Sequence, residues 1–234
     1  MAPAPPAAHD RWYVAALATL SVSTGALDAV SYLALDHVFT GNMTGNVIFL
    51  AFGLLDVGEL PVLNLLVALL AFVAGAALSA IVLRALGATR RAPGASFAVL
   101  GAVTVVTAVV ATLWFVAGDL TTLQMAVATG ALAFGLGAQA SALKPVGIRD
   151  ISTVVVTMTL VNLASEGVLT GRRDPLWLRR LLALVTMAVG ALLGALVVVQ
   201  VGGAVATWVA AGVMLLGIGL LGIARRREVV PAAE

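Results

Sequence analysis

Eight apolar segments, separated by short polar connections, make up almost the whole chain. They cover residues 12–35, 39–55, 61–86, 95–117, 121–143, 151–169, 177–200 and 204–224. The connections hold glycine, proline and charged residues, which commonly end helices. Because about 20 apolar helical residues span the roughly 30 Å hydrocarbon core of a bilayer, the pattern predicts an all-α polytopic membrane protein.

The segments at 39–55 and 151–169 are the shortest and the most polar of the eight. Short cytoplasmic loops carry an excess of lysine and arginine, so the charges indicate how these two segments meet the membrane. If all eight segments cross, five of the 13 basic residues lie outside: Arg84, Arg90, Arg91, Lys144 and Arg149. If the two short segments enter and leave on one side, all 13 lie inside, and the outer loops keep Asp56, Glu59 and Asp119. We therefore predict six full transmembrane helices plus two broken or re-entrant half-helices, with both termini in the cytoplasm.

The predicted elements divide into two inverted repeats, about 12–118 and 119–227. Each repeat has three crossings and one half-helix, and an odd number of crossings gives the two halves opposite orientations. Two pairs of stretches resemble each other: 41–51 with 154–164, and 24–34 with 134–144. Inverted repeats with interrupted helices at matching positions are typical of transporters that bind a substrate near the bilayer midplane.

Composition narrows the class of protein. Of the 234 residues, 62% are hydrophobic and 10% are charged, against about 25% charged residues in soluble domains. The bilayer must therefore surround a single transmembrane domain over 12–227, between a disordered tail at 1–11 and a C-terminal tail at 228–234. The absence of cysteine excludes disulfides, thiolate metal sites and a cysteine nucleophile. The basic residues are clustered as topology signals, so we expect the lipid bilayer, and no nucleic acid, as a partner.

Three blocks of sequence resemble a known family. Gly25, Asp28 and Ala29 are followed by TGNMTGN at 40–46, and GIRDISTVVVTMTL follows at 147–160. These blocks resemble the YoaK-type family of bacterial membrane proteins over nearly the whole chain. The resemblance implies a small polytopic protein of the inner membrane and implies no substrate. By analogy alone, the arrangement is also similar to sulfate and uracil permeases, in which two half-helices face each other across a substrate.

The polar stretch at 39–46 is the first candidate for a binding site. If a helix begins near Asn42, its free N–H groups carry partial positive charge and can bind an anion or a carbonyl oxygen. Thr40 and Asn42 are typical N-cap residues, and Gly41 allows a ligand to approach the backbone closely. Ser152 and Thr153 would begin the second half-helix in the same way. The alternative is that these residues only cap buried helix ends.

Asp28 lies about 16 residues, roughly 24 Å, from the cytoplasmic end of the first apolar segment. A central aspartate costs about 2.5–3.5 kcal/mol on insertion scales, so it is a functional candidate. It could accept a proton, bind a cation or pair with a substrate amine. The alternative is a structural carboxylate that caps the nearby half-helix or is held by Ser31 and Thr44. Both readings stay open, and one residue could serve both purposes.

Polar residues on the fifth and sixth segments complete the candidate site. Gln139 lies within an apolar segment near the position that corresponds to Asp28 in the other repeat. It could instead make a hydrogen bond between helices. Of the sixth segment, Thr157 is the residue that we expect nearest to a substrate. We expect His37, the only histidine outside the N-terminal tail, to be a solvated residue of the connection. The full set of predicted substrate-binding residues is Asp28, Ser31, Thr40, Gly41, Asn42, Thr44, Asn46, Gln139, Ser152, Thr153 and Thr157.

These observations favour a transporter or channel for a small polar or anionic solute. Its site would lie at the midplane between two opposed half-helix N-termini, and Asp28 is the candidate for coupling a proton. We expect no cofactor, no metal and no catalysis, because no nucleophile lies beside a base and no histidine pair could bind zinc. A non-transporting scaffold or assembly protein is the alternative, and an intramembrane enzyme is a weaker one. Small residues at 75, 79, 190 and 194 could pack helices within the chain or form a homodimer.

Overall fold

The computed structural model describes residues 8–89, 94–146, 160–161 and 177–229, and no strand occurs within these ranges. A 3-10 turn at Lys144–Val146 follows the fifth of seven α-helices. The helices are α1 (Ala8–Ala34), α2 (Met43–Leu54), α3 (Val62–Ala85), α4 (Gly94–Ala117), α5 (Thr122–Ala142), α6 (Trp177–Gln200) and α7 (Gly203–Val229).

Six of these helices are long and apolar enough to cross a membrane, judged by length and composition. The all-helical membrane fold and the six long helices predicted from the sequence are thus confirmed. At 12 residues, or about 18 Å, α2 is too short to span a bilayer core. Apart from residues 160–161, the second predicted short segment at 151–169 lies outside the described residues.

The terminal helices extend beyond the apolar pattern at both ends of the chain. The first begins at Ala8, and the last continues to Val229 although the apolar segment stops at residue 224. Arginines occupy the last turn of α7, where cations interact favourably with the helix dipole. An apolar pattern therefore marks the membrane-embedded part of a helix rather than its full length.

Two tight helix crossings organise the bundle, one between α1 and α6 and one between α3 and α5. Around them, α7 packs on α1, α2 packs on α3, and α4 contacts both α5 and α7. Only a short contact joins α1 to α5. The helices thus form two groups, α1/α6/α7 and α2/α3/α5, with α4 between them.

Each crossing is built from a pair of glycines that face the backbone of the opposite helix. At the first, a Cβ on Gly25 would meet the carbonyl of Met187, and a Cβ on Gly190 would meet that of Val22. At the second, Gly75 faces the carbonyl of Phe134 and Gly137 faces that of Phe72. Small residues let backbones approach closely in the absence of a hydrophobic driving force. Gly75, Gly190 and also Gly194, which faces Ala26, therefore pack helices within the chain, and the homodimer stays a prediction.

The ends of the helices meet in two layers. One apolar cluster joins the start of α1 and the end of α3 to the start of α4 and the ends of α5 and α7: Tyr13, Leu83, Phe97, Ala142 and Leu221 are members. The start of α6 joins the same layer, since Ala183 packs with Leu17. We call this layer the basic end, because it adjoins Arg11, Arg84, Lys144, Arg179, Arg225, Arg226 and Arg227.

The opposite layer holds the end of α1, the end of α4 and the starts of α5 and α7. Gly203 lies against the Trp114 ring and Ala34, and Leu120 packs on the same cluster. We call it the acidic end, because Asp56, Glu59 and Asp119 lie in the connections there.

At the basic end, the Tyr13 hydroxyl donates to Glu228 Oε2 at 2.6 Å and Arg227 lies 5.0 Å from the Trp12 ring. The start of α1 and the end of α7 are thus joined at the basic end.

Candidate functional site

The candidate site forms where the chain leaves α1 and turns back along it. Asp36 and His37 adopt left-handed backbone conformations, with φ of 64° and 58°, and they end the helix. The following residues run back past Asp28, so that the backbone N–H groups of Thr40 and Gly41 donate to its Oδ1 at 3.0 and 2.6 Å. The carboxylate therefore accepts two N–H groups of the segment that precedes α2, which would otherwise be buried without these partners.

The second carboxylate oxygen has a different environment. Asp28 is 5% exposed, and its Oδ2 has no hydrogen-bond partner among the described residues. An ionised carboxylate offers about four acceptor positions, and leaving a buried acceptor unsatisfied costs about 1–3 kcal/mol. Oδ2 is therefore the unused acceptor of the site.

Gly41 packs closely against this carboxylate. A Cβ added to Gly41 would lie 3.1 Å from Thr24 Cγ2 and 3.2 and 3.3 Å from the two Asp28 oxygens. Any larger side chain at this position would therefore stand against both carboxylate oxygens. The absence of a side chain lets the backbone come close enough for the Gly41 N–H to donate to Oδ1.

A hydrogen bond between helices connects Asp28's neighbour Thr24 to α5. Gln139 Nε2 donates to Thr24 Oγ1 at 3.1 Å, while that hydroxyl donates to the Leu20 carbonyl at 3.0 Å. All of these side chains are buried. We call Thr24, Asp28, Gly41 and Gln139 the carboxylate site.

Three further predicted residues, Ser31, Thr40 and Asn46, make hydrogen bonds next to the carboxylate site. The Ser31 and Thr40 hydroxyl oxygens lie 3.4 Å apart, and the Ser31 hydroxyl donates to the Asp28 carbonyl at 3.2 Å. Asn46 is fully buried, and its side chain makes hydrogen bonds with both the N–H and the carbonyl of Phe39. Its Nδ2 donates to the Phe39 carbonyl at 2.6 Å, and its Oδ1 accepts from the Phe39 N–H at 3.0 Å. The amide thereby replaces a backbone partner for a segment that is neither helix nor strand.

An aromatic cluster covers the acidic-end side of this segment. The Tyr32 ring stacks on Phe39 at a centroid distance of 4.9 Å, and Phe49 lies 6.1 Å from Phe39. The exposed His37 ring meets Tyr32 edge-on at 5.2 Å. Close by, Asn64 Nδ2 at the start of α3 donates to Asp36 Oδ2 at 2.7 Å.

The structure separates the predicted site residues into three sets. Six of them meet around the start of α2: Asp28, Ser31, Thr40, Gly41, Asn46 and Gln139. Asn42 occupies the N-cap position of α2, but its side chain makes no capping hydrogen bond, and both Asn42 and Thr44 are exposed. The Asp28 oxygen bonds to N–H groups and not to the Thr44 hydroxyl. Ser152, Thr153 and Thr157 lie outside the described residues, so the opposing half-helix stays a prediction.

The sequence interpretation missed three contributors. Thr24 lies one helical turn before Asp28, a spacing that places the two side chains on one face of α1. Asn64 is the lone carboxamide near the start of an otherwise apolar helix, and that pattern could have identified it. The ring cluster had no sequence signal, because Tyr32 and Phe49 meet only through the turn between α1 and α2. Within the described residues, no group of three or more His, Cys, Asp or Glu could hold a metal ion.

The long apolar helices and the buried carboxylate at a helix break define a multi-pass helical membrane protein. More specifically, the chain belongs to the family described as "Protein of unknown function (DUF1275)", whose model matches residues 16–220. The chain is 32% identical over 193 residues to the UPF0700 transmembrane protein YoaK of Bacillus subtilis (strain 168). That match covers 77% of this chain and 81% of the relative, and it confirms the family predicted from the sequence. No solved structure matches the chain.

Proposed function

We propose that the protein is a transporter for a small polar solute, which binds at the carboxylate site. One observation carries the proposal: a buried aspartate inside a long apolar helix has one oxygen bonded to the segment before α2, and its other oxygen has no partner among the described residues. Ionisable residues within transmembrane segments are costly and commonly mark a substrate or ion pathway. A purely structural cap would be expected to satisfy both oxygens.

The proposal includes α2 as a half-helix that does not cross the membrane. The start of α1 and the end of α3 both lie at the basic end, and each of these helices is long enough to cross. The chain between them must then begin and finish at the acidic end, and α2 lies within that connection. The positive-inside rule favours the basic end in the cytoplasm, and the connection that contains α2 would then lie on the outer side.

Matching contacts support two inverted repeats. The first helix of each predicted repeat, α1 or α5, crosses the third element of the other repeat, α6 or α3. At both crossings, each helix contributes a glycine and the residue three positions before it, and each glycine faces the earlier residue of the other helix. The contacts are Gly25 on Met187 with Gly190 on Val22, and Gly137 on Phe72 with Gly75 on Phe134. Packing of the first helix of each repeat on the third element of the other repeat is compatible with transporter folds that bind a substrate at the midplane.

The arrangement of the site suits alternating access. Asp28 and Thr24 belong to the group α1/α6/α7, whereas Gln139 belongs to α2/α3/α5. The Thr24–Gln139 hydrogen bond joins the two groups of helices, and it lies one turn nearer the basic end than Asp28. The aromatic cluster lies on the acidic-end side of Asp28. Separating Thr24 from Gln139 would open the site toward the basic end, while moving Phe39 would open it toward the acidic end. Closures on both sides of the site favour a transporter over a channel.

Flux measurements on purified protein in proteoliposomes test the proposal. Uptake would be followed for radiolabelled solutes of three classes: small amines, small amides and small organic anions, with the lumen pH recorded for proton coupling. We expect uptake of at least one class, and its loss in Asp28→Asn. The matched control is Asp56→Asn, an exposed aspartate at the acidic end, which should retain uptake. Equal uptake by empty liposomes and by liposomes with protein, in all three classes, would contradict the proposal.

A further inference from the structure

We propose that the solute bound by Asp28 carries a small ammonium group, whose N–H donates to Oδ2. This inference rests on the proposed function and names the solute class of the same site. It departs from the anion that a free helix N-terminus would favour, since the N–H groups of Thr40 and Gly41 are already directed at Oδ1.

The unused oxygen requires a donor. Oδ2 is buried and without a hydrogen-bond partner among the described residues, and a carboxylate oxygen can only accept while Asp28 is ionised. An anion would place a second negative charge beside it and would leave both acceptors unsatisfied. A solute with N–H or O–H groups satisfies the oxygen directly.

The charge at the site favours a cation among such donors. The described basic residues adjoin the basic end, whereas Asp28 lies about five helical turns into α1, counted from Ala8. Two backbone N–H groups and the start of α2 face the carboxylate, and a helix N-terminus supplies only about half a positive charge. An ammonium would neutralise the remainder through a charge-assisted hydrogen bond, which is about twice as strong as a neutral one.

The packing around the carboxylate limits the size of the group. Even a Cβ on residue 41 would lie 3.2 and 3.3 Å from the Asp28 oxygens and 3.1 Å from the Thr24 methyl carbon, so only a small donor fits beside Oδ2 when these groups separate. A primary ammonium is a small N–H donor, whereas a fully methylated nitrogen has no N–H and a larger radius. Methylammonium and tetramethylammonium therefore separate hydrogen bonding from charge alone.

Thermal unfolding of the full chain in lipid nanodiscs, followed by tryptophan fluorescence, tests the inference. The probes are methylammonium chloride, tetramethylammonium chloride, acetamide and sodium formate, each at matched ionic strength with sodium chloride. We expect a saturable rise in Tm with methylammonium, a weaker one with acetamide, and none with tetramethylammonium or formate. Asp28→Asn should weaken apparent methylammonium affinity by about ten- to a hundredfold, the range for a hydrogen bond to a charged group.

A second variant keeps the test decisive if Asp28→Asn folds poorly. Gly41→Ala leaves the carboxylate in place but puts a methyl group against both of its oxygens, so it should also weaken methylammonium binding. Its matched control is Gly101→Ala on α4, where an added Cβ meets nothing within 4 Å. Equal methylammonium affinity in Gly41→Ala and Gly101→Ala would overturn the inference.

The outcomes separate this inference from the proposed function. Stabilisation by formate that requires Asp28 would overturn the ammonium class and leave transport standing. Stabilisation by methylammonium, with no uptake into proteoliposomes in any of the three solute classes, would support the ammonium site and contradict transport. No response to any probe, together with no uptake in any class, would overturn both.

Discussion

The two oxygens of Asp28 differ in their hydrogen bonding. Oδ1 accepts the two N–H groups at the break before α2, and Oδ2 has no hydrogen-bond partner among the described residues. In our proposal, the structural and the ligand-binding readings of this residue apply to different oxygens of one carboxyl group. Substitutions can separate them, because an amide retains one acceptor and a methyl group retains none.

Replacing Asp28 by alanine should destabilise the protein more than replacing it by asparagine. Alanine leaves the N–H groups of Thr40 and Gly41 buried without an acceptor, at about 1–3 kcal/mol for each unsatisfied group. Asparagine keeps a carbonyl oxygen for them. Thermal unfolding in nanodiscs without ligand measures the difference. Equal Tm values for the two variants would show that the observed hydrogen bonds contribute little to stability.

The two asparagines of the TGNMTGN stretch provide a matched pair for a second residue-scale prediction. Asn46→Leu removes both hydrogen bonds to Phe39 at a fully buried position. We therefore expect a clear fall in Tm and a loss of free energy of unfolding of the order of a few kcal/mol. Asn42→Leu changes an exposed side chain that makes no capping bond and should stay within about 0.5 kcal/mol of the parent. A larger effect at Asn42 than at Asn46 would contradict the described geometry.

Close contacts of glycines with the facing backbone shape two helix crossings of this protein, α1–α6 and α3–α5. Few large side chains could mediate the α1–α6 and α3–α5 crossings, because backbone atoms of one helix approach the glycines of the other. In lipid, such close packing replaces the hydrophobic driving force that holds helices together in water. The glycines of these crossings thus have a different role from those on the lipid-facing surfaces.

Alanine substitutions of these glycines should divide by position. Gly75→Ala and Gly137→Ala place a methyl group against the backbone of the facing helix, and overpacking of this kind costs about 1–3 kcal/mol. Gly101→Ala and Gly212→Ala meet open space and should be neutral or stabilising, since alanine favours helix by about 1 kcal/mol over glycine. Thermal unfolding and size-exclusion profiles would measure both sets. Uniform effects at all four positions would contradict the assigned crossings.

The whole molecule is organised by the two ends of its helix bundle. The described basic residues adjoin one end, and the connections with Asp56, Glu59 and Asp119 lie at the other. Clusters at the basic end join the start of α1 to the ends of α3, α5 and α7. This distribution gives the proposed topology a direct test, because the chain contains no cysteine.

Single cysteines should label from opposite sides of the membrane. Asp56→Cys and Glu59→Cys at the acidic end should react with an impermeant maleimide added outside intact cells. Leu86→Cys, an exposed position after α3, should react only after the cytoplasmic side becomes accessible. Labelling of position 56 from the cytoplasm would show that the chain between α1 and α3 crosses the membrane.

The sequence by itself determined the class of protein, the six long helices and the family. Apolar length and scarcity of charge are properties of composition, and they act through the bilayer irrespective of how helices meet. The TGNMTGN stretch and Asp28 were also visible, since polar residues within apolar segments are costly. The sequence could not show that Asp28 accepts from Thr40 and Gly41, nor that Asn42 and Thr44 are exposed.

Only the tertiary structure decided which oxygen of Asp28 is used and which residues surround it. Thr24 and Gln139 are brought together by the packing of α1 near α5, over a sequence separation of 115 residues. The backbone turn at Asp36 and His37 likewise directs N–H groups at a carboxylate that lies 12 and 13 residues earlier. Hydrophobic patterning sets which residues enter the membrane, but close contacts between backbones select the register of the helices. Within the polar or anionic solutes that the sequence predicts, that register is the reason why our proposal favours a hydrogen-bond donor.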